Sequence, residues 1–269
     1  MNLAGKRILL TGATGGLGNA IARQLAAKGA ILAILGRDPE KLKVLKNDIQ
    51  ASGNKVVSIE ADLSQAGIPA KAINATIEKL GGIDIVVNNA GVLDFIAFEN
   101  QSEERILEII HTNVTAVIQL SHAAMHYFKK NNTGHLLFIG SIFGSLGFPH
   151  YATYCASKFA IHGFSQALRR ELVNTNIGIT YVAPRFIKTP MNNEAATAMT
   201  KKSGSKMDSP ETVAELVLKA LEREKQEVFI GQPESFFAWL NGLAPKLVNL
   251  GLKKQTKLAE SFLDKGANN

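Results

Sequence analysis

A serine, a tyrosine and a lysine at defined spacings could together move a proton. Ser141 ends the apolar run from His135 to Gly140, and thirteen positions later the chain reads Tyr154-Cys155-Ala156-Ser157-Lys158. The stretch from Tyr151 to Asn174 is rich in Ala, Leu and Arg and lacks proline, which predicts a helix. Residues four apart share a helix face, with Cβ atoms roughly 5–6 Å apart, so Tyr154 and Lys158 point the same way. A phenol titrates near ~10, too high for acid–base work at neutral pH, but an adjacent ammonium favours the phenolate and lowers that value. Beside the Ser141 hydroxyl, such a phenol has what proton transfer to a carbonyl oxygen requires. Taken alone, a Tyr/Lys pair at this spacing is more often an exposed surface pair than a catalytic one, so the rest of the chain must decide. Cys155 is the only cysteine and reads as a small helix residue rather than a nucleophile.

The scaffold is legible as alternating apolar runs and helical patterns. Strands are predicted at 7–11, 31–35, 55–59, 83–87, 136–139, 177–182 and 227–230. Helices are predicted at 19–28, from Asp38-Pro39-Glu40 onward, near 65–80, from Ser102 to Lys130, at 151–174 and at 210–223. Asp38 should cap its helix, with Pro39 at the first helical position. The polar stretch from Asn192 to Ser209 is expected to form a mobile loop. Seven short strands that are apolar on both faces, alternating with helices, imply an α/β fold: a doubly wound, mainly parallel sheet covered on both sides.

Two glycine-containing segments fall at strand ends. TGATGGLG, at 11–18, places Gly12, Gly16 and Gly18 between the first strand and first helix. There glycine permits a tight turn and close approach of backbone to a pyrophosphate, and the helix N-terminus presents free N–H groups to it. At the end of the second strand an acidic residue would bind a ribose 2′-hydroxyl, whereas an arginine accommodates a 2′-phosphate. Gly36 and Arg37 stand there, and Asp38 is taken up by capping, so the reading is NADP(H), with NAD(H) the lesser option. After the fourth strand comes Asn88-Asn89-Ala90-Gly91, small enough to lie against a cofactor and able to tie strand ends together.

The 269 residues are 46% hydrophobic and 20% charged, an ordinary globular mixture with enough chain for one α/β domain. One cysteine excludes an internal disulfide and a cysteine metal cluster, which fits a reducing, cytoplasmic setting. The formal charge of +7 is spread along the chain without the aromatic interleaving of a single-strand nucleic-acid platform, so no nucleic-acid partner is expected. The N-terminal apolar run is too short for a signal peptide, and no run of ~18 apolar residues would span a bilayer.

With Asp62-Leu63 after the third strand and Asn113 in the long predicted helix, these motifs in this order resemble the short-chain dehydrogenase/reductase family from about Lys6 to Ile230. The resemblance implies a Rossmann-like domain and a nicotinamide cofactor. It implies Tyr154 as general acid/base, Lys158 as the group that lowers its pKa and holds the nicotinamide ribose, and Ser141 as the holder of the substrate oxygen. Asn113 would position a water linking Lys158 to a proton relay. Gly12, Thr14, Gly15, Gly16, Leu17 and Gly18 would cradle the cofactor, with Arg37 at its 2′-position and Asp62 and Leu63 flanking the adenine. Asn89, Ala90 and Gly91 would line its ribose, and Pro184, Ile187 and Thr189 its carboxamide. It also implies a homodimer or homotetramer, often formed through the 102–130 and 151–174 helices. One departure stands out: Pro184 is followed by Arg185 where the family usually has glycine, so Arg185 either reaches the active-site mouth to meet an anionic group or points outward.

Residues 232–269 extend beyond the expected catalytic domain, 1–231. Phe236, Leu240, Leu243, Leu247 and Leu250 recur at helical spacing, with Phe237 and Trp239 beside them, and Pro245 should divide the segment into two helices. The favoured expectation is that this stripe packs on protein, over the cleft or a partner subunit. The alternative is that it lies peripherally on an anionic membrane, aided by Lys246, Lys253, Lys254 and Lys257. With the apolar loop at Ile142, Phe143, Leu146 and Phe148, it suggests a lipophilic substrate. The leading function is an NADP(H)-dependent oxidoreductase interconverting a carbonyl and an alcohol. A narrower version reduces 3-oxoacyl thioesters. A non-catalytic NADP-binding regulatory protein is the reading of another class, disfavoured by the intact Ser, Tyr and Lys.

Overall fold

The computed structural model describes residues 1–263. Among these, seven strands form one all-parallel sheet in the order β3-β2-β1-β4-β5-β6-β7, with β1 Arg7–Thr11, β2 Ile31–Gly36, β3 Val56–Glu60, β4 Ile85–Asn88, β5 Gly134–Ile139, β6 Ile177–Pro184 and β7 Glu227–Ile230. The helices are α1 Gly16–Ala27, α2 Pro39–Ala51, α3 Ile68–Leu80, α4 Glu103–Ile110, α5 Ala116–Asn131, α6 Ala152–Glu171, α7 Glu194–Lys202, α8 Pro210–Glu222, α9 Glu234–Leu243 and α10 Pro245–Leu263. Successive strand side chains point to opposite faces, and β1 divides accordingly. Ile8 and Leu10 pack with α1, α2 and α8, whereas Leu9 packs with α3, α5 and α6. A sheet sealed on both faces needs strands that are apolar on both, which is why these runs do not alternate with polar residues.

The strand order reverses between β1 and β4, which pair directly through Ile8–Ile85, Leu9–Val86 and Leu10–Val87. In such sheets the crevice at the strand carboxyl ends opens at this point. Asp38 caps α2 as expected, its Oδ1 accepting from the Lys41 N–H at 3.0 Å. The predicted helix from Ser102 to Lys130 is interrupted by one π-helical turn, His111–Thr115, with Asn113 at its centre. Such bulges recur at functional sites.

One expectation fails. The polar stretch from Asn192 is not loop throughout, because α7 occupies Glu194–Lys202, capped by Asn193, whose Oδ1 accepts from the Ala196 N–H at 2.8 Å. Ala196, Met199 and Thr200 are buried on its inner face. The polar residues dominated the sequence pattern, while a cap followed by Ala-rich helix formers decided the structure. The division at Pro245 occurs as expected. Of the C-terminal extension, residues 264–269 lie outside the described residues.

Candidate active site

The glycine turn is built to bring backbones together. Gly12 has φ +62°, and a Cβ there would lie 2.8 Å from the Ala90 Cα; at Gly18 it would lie 2.0 Å from the Gly12 carbonyl oxygen. Neither neighbour is a side-chain end that could swing away, so any larger residue displaces main chain. Gly15 stands at the N-cap of α1 with no side-chain cap, leaving the first N–H groups of the helix available to an anion. Asn89 locks this turn to β4: its Nδ2 donates to the carbonyls of Thr11 (3.0 Å) and Gly12 (3.1 Å). The Thr11 hydroxyl accepts from the N–H groups of Asn89 and Ala90, each at 3.0 Å. The structural role expected of the Asn pair is therefore carried by Asn89. Asn88 is buried with both amide atoms unpartnered.

A cleft of about 910 Å³ runs from this turn, past Gly36, Arg37 and Asp62, to Ser141, Tyr154 and Lys158. Thr14, Gly15, Gly16, Leu17, Leu63, Ala90, Gly91, Pro184, Ile187 and Thr189 also border it, and Thr189 sits over Gly16. Every candidate residue from the sequence is thus on one cleft except Asn113. Asn113 is buried beneath it, with both amide ends committed. Its Oδ1 accepts from the Val92 N–H at 2.8 Å; its Nδ2 donates to the Val92 carbonyl at 2.8 Å and the Ser157 hydroxyl at 3.0 Å. Its side chain fastens the loop after β4 to α6, a placement that only packing of the π turn could reveal.

At the Arg37 end of the cleft, the Asp62 Oδ1 accepts from Ser64 N–H (3.0 Å) and hydroxyl (2.8 Å). Burial pushes this carboxyl up, but the Ser64 bonds and the positive charge of Arg37 outweigh it and hold Asp62 below the usual carboxylate range. Arg37 is largely exposed and meets Glu108 at 3.7 Å. Lys41, which sequence reasoning missed, also borders the cleft here. Its signal was its position three residues after the Asp38 cap, on the first turn of α2.

At the chemical end, α6 presents Tyr154 and Lys158 on one face, with Nζ 5.7 Å from the phenol ring centroid. Lys158 Nζ donates to the Ile139 carbonyl at 3.0 Å. Burial pushes Lys158 down to about 8 and Tyr154 up to about 12, against the opposing pull of a hydrogen bond with Ser141. The net shift of the phenol is upward, where the helix spacing led to the expectation of a lowering: loss of water around the hydroxyl outweighs the hydrogen bond with Ser141. At neutral pH the pair stands as neutral phenol and mostly charged amine, a proton donor beside a cation that stabilises the anion left behind. Burial also raises the Cys155 thiol to about 11, which removes it as a nucleophile at neutral pH, as expected.

Ser141 is held from behind. Its Oγ accepts from the Phe143 N–H at 3.1 Å, and the Tyr181 hydroxyl donates to its carbonyl at 3.5 Å. Tyr181 stacks on His162 (4.5 Å between ring centroids), which contacts Ser145 at 3.1 Å and Glu227 at 3.3 Å. These partners come from α6, β6 and β7, so no local sequence signal could have joined them to Ser141.

Arg185 does border the cleft, but its guanidinium is engaged by acids of the protein itself. Its guanidinium forms a two-bond pair with Asp208 (2.7 and 2.9 Å), donates to the Gln232 carbonyl (2.8 Å) and meets Glu234 at 3.3 Å. It ties the end of β6 to the start of α9. Replacing Arg185 with alanine should cost about 1–3 kcal/mol, a bidentate pair with partly exposed partners, and raise KM by loosening α9, which borders the cleft through Phe237. Denaturant unfolding and steady-state kinetics check both; parent-like stability would deny Arg185 the clamp role.

The extension is sided. Ala238, Leu240, Val248 and Leu252 pack on Ile142 and Leu146, next to Ser141, and Val248, Leu252 and Gln255 border the cleft. The expected packed stripe is mostly not the packed face: Leu240 turns inward, but Phe236, Leu243, Leu247 and Leu250 are 50–66% exposed. The inward face is made instead of Ala238, Leu240, Val248 and Leu252, with Leu258 and Phe262 packed further along α10.

A family model described as short chain dehydrogenase matches residues 6–200. The 3-oxoacyl-[acyl-carrier-protein] reductase FabG of Escherichia coli is 35% identical over 195 residues, covering 71% of this chain and 77% of that one. A short-chain dehydrogenase structure from Burkholderia cenocepacia in complex with NADP is 29% identical with a TM-score of 0.79, over 87% of this chain and 99% of that one. A Burkholderia phymatum structure in complex with NAD has a TM-score of 0.83 at 22% identity, over 92% and 96% of the two chains, and shows the shared fold.

Proposed function

Because the chain belongs to the short-chain dehydrogenase family, it is an oxidoreductase, and we propose that it interconverts an apolar ketone or aldehyde and the corresponding alcohol with NADP(H). The observation that carries this reading is the meeting of Ser141, Tyr154 and Lys158 with the glycine turn on one continuous cleft. The residues fit a dinucleotide: the close backbone approaches at Gly12 and Gly18, the uncapped start of α1 and the Asp62 loop form a cradle of the right parts. A bound nicotinamide supplies or accepts the hydride. In reduction, Ser141 holds the carbonyl oxygen and Tyr154 gives it the phenol proton. The charge of Lys158 offsets the phenolate that remains, so the product leaves as a neutral alcohol. In oxidation the same proton returns to Tyr154.

NADP(H) is favoured because Arg37 is exposed and weakly held, whereas Asp38 is taken up by Lys41 through its N–H at 3.0 Å and its ammonium at 3.1 Å. Arg37→Asp should shift the ratio of kcat/KM values from NADPH toward NADH by about 10–100-fold, the worth of a charge-assisted phosphate bond. An unmoved ratio would place the 2′-phosphate elsewhere. The apolar substrate class rests on Phe143, Leu146, Phe148 and Phe237 along the cleft. The thioester version draws support from the E. coli relative's name. NADPH oxidation against apolar ketones, aldehydes and 3-oxoacyl thioesters separates these, and inertness toward all of them would favour the regulatory reading. Assembly through α4 to α6 belongs to the same proposal, supported by exposed Leu107, Ile118 and Phe159 on those helices.

A further inference from the structure

The α9–α10 hairpin turns five large apolar side chains away from the protein. Phe236, Trp239 and Leu243 on α9 and Leu247 and Leu250 on α10 are 50–66% exposed, and none of them borders the main cleft. The inward face holds Ala238, Leu240, Val248, Leu252, Leu258, Ala259, Phe262 and Leu263. Monomeric surfaces carry scattered single apolar residues but rarely a contiguous set of this size, so this face is built to be covered.

Its charge says by what. At 100° per residue, Lys246, Lys253, Lys254 and Lys257 fall on the same outward side of α10 as Leu247 and Leu250, and all four are exposed. The acids of the hairpin are Glu234, held by Arg185, and Glu260. A second copy meeting this face about a two-fold axis would set lysines against lysines. A surface of negative headgroups over hydrocarbon satisfies both features together: aromatic and leucine side chains enter the boundary, and the ammonium groups meet the charge. We propose that the outward face of α9–α10 is a docking surface for an anionic lipid bilayer, on which the protein rests peripherally. Among the described residues no helix is long and apolar enough to cross a membrane, which fits lying on a bilayer rather than spanning it.

Trp239 is the only tryptophan, so its emission reports on this face directly and independently of turnover. Full-length protein is mixed with vesicles of phosphatidylcholine alone or with phosphatidylglycerol. A blue shift and co-sedimentation are expected with phosphatidylglycerol vesicles, weakening as salt rises. Replacing Lys246, Lys253, Lys254 and Lys257 with Gln should lower the partition coefficient more than about tenfold with the circular dichroism spectrum unchanged. The triple variant L243S/L247S/L250S should bind as weakly. Unchanged emission with phosphatidylglycerol at low salt overturns the proposal, as does equal binding to both vesicle types. So does a lipid-free dimer that L243S/L247S/L250S splits in sedimentation velocity while the parent ignores vesicles, since a second copy then covers the face.

Discussion

Replacing Tyr154 with phenylalanine is expected to lower carbonyl reduction by about 10²–10⁴-fold, the usual worth of a positioned general acid, while the protein stays folded and still binds NADPH. The ring remains to pack against Phe143, whose centroid lies 6.5 Å away; only the hydroxyl shared with Ser141 is lost. The neighbouring phenol and thiol do not replace it. The Tyr151 ring is 6.3 Å from that of Tyr154 and its phenol is pushed higher still by burial, while the Cys155 thiol stands at about 11. Steady-state NADPH oxidation beside NADPH fluorescence titration makes the measurement. Near-parent turnover with intact binding sinks the acid–base assignment without touching the family assignment.

Replacing Lys158 with methionine should separate stability from function. The ammonium is buried, and its folded pKa of about 8 lies below the ordinary 10.5. For a base lowered in this way, the unfolded chain binds the proton more tightly, so the charged form costs stability. That cost is fully present below about pH 8 and fades as pH rises toward 10.5. From the gap in pKa it is at most about 3 kcal/mol at neutral pH, reduced by the bond to the Ile139 carbonyl. Lys158→Met, which keeps most of the aliphatic stem without the charge, is therefore expected to unfold at higher denaturant near pH 7, an advantage that shrinks above pH 8. Turnover should fall by about 10²–10³-fold, the worth of one electrostatic group placed where charge develops. In the parent, reduction should decline as pH rises through about 8 and the cation is lost. A variant less stable than the parent at every pH would show that the lysine is held by contacts that outweigh its burial.

Much of the protein is determined by sequence alone. Strands apolar on both faces can be stable only in a sheet covered on both sides, so the alternation of runs and helices fixes the fold class, and β1 and β7 begin and end where their apolar runs do. The glycine turn, Ser141 and the Tyr154–Lys158 spacing are local patterns, which is why they could be read before any contact was known. Tertiary structure decided what depends on residues far apart in the chain. Arg185 finds Asp208, Gln232 and Glu234, and Asn113 turns from the cleft to Val92 and Ser157. The extension leaves Phe236, Leu243, Leu247 and Leu250 outward because Ala238, Leu240, Val248 and Leu252 are the residues that meet Ile142 and Leu146 next to Ser141. The sign of the Tyr154 shift belongs here too. Spacing along a helix states which charge lies nearby, but how much water remains is set by every element that closes over the site, and at Tyr154 the loss of water outweighs the Ser141 hydrogen bond.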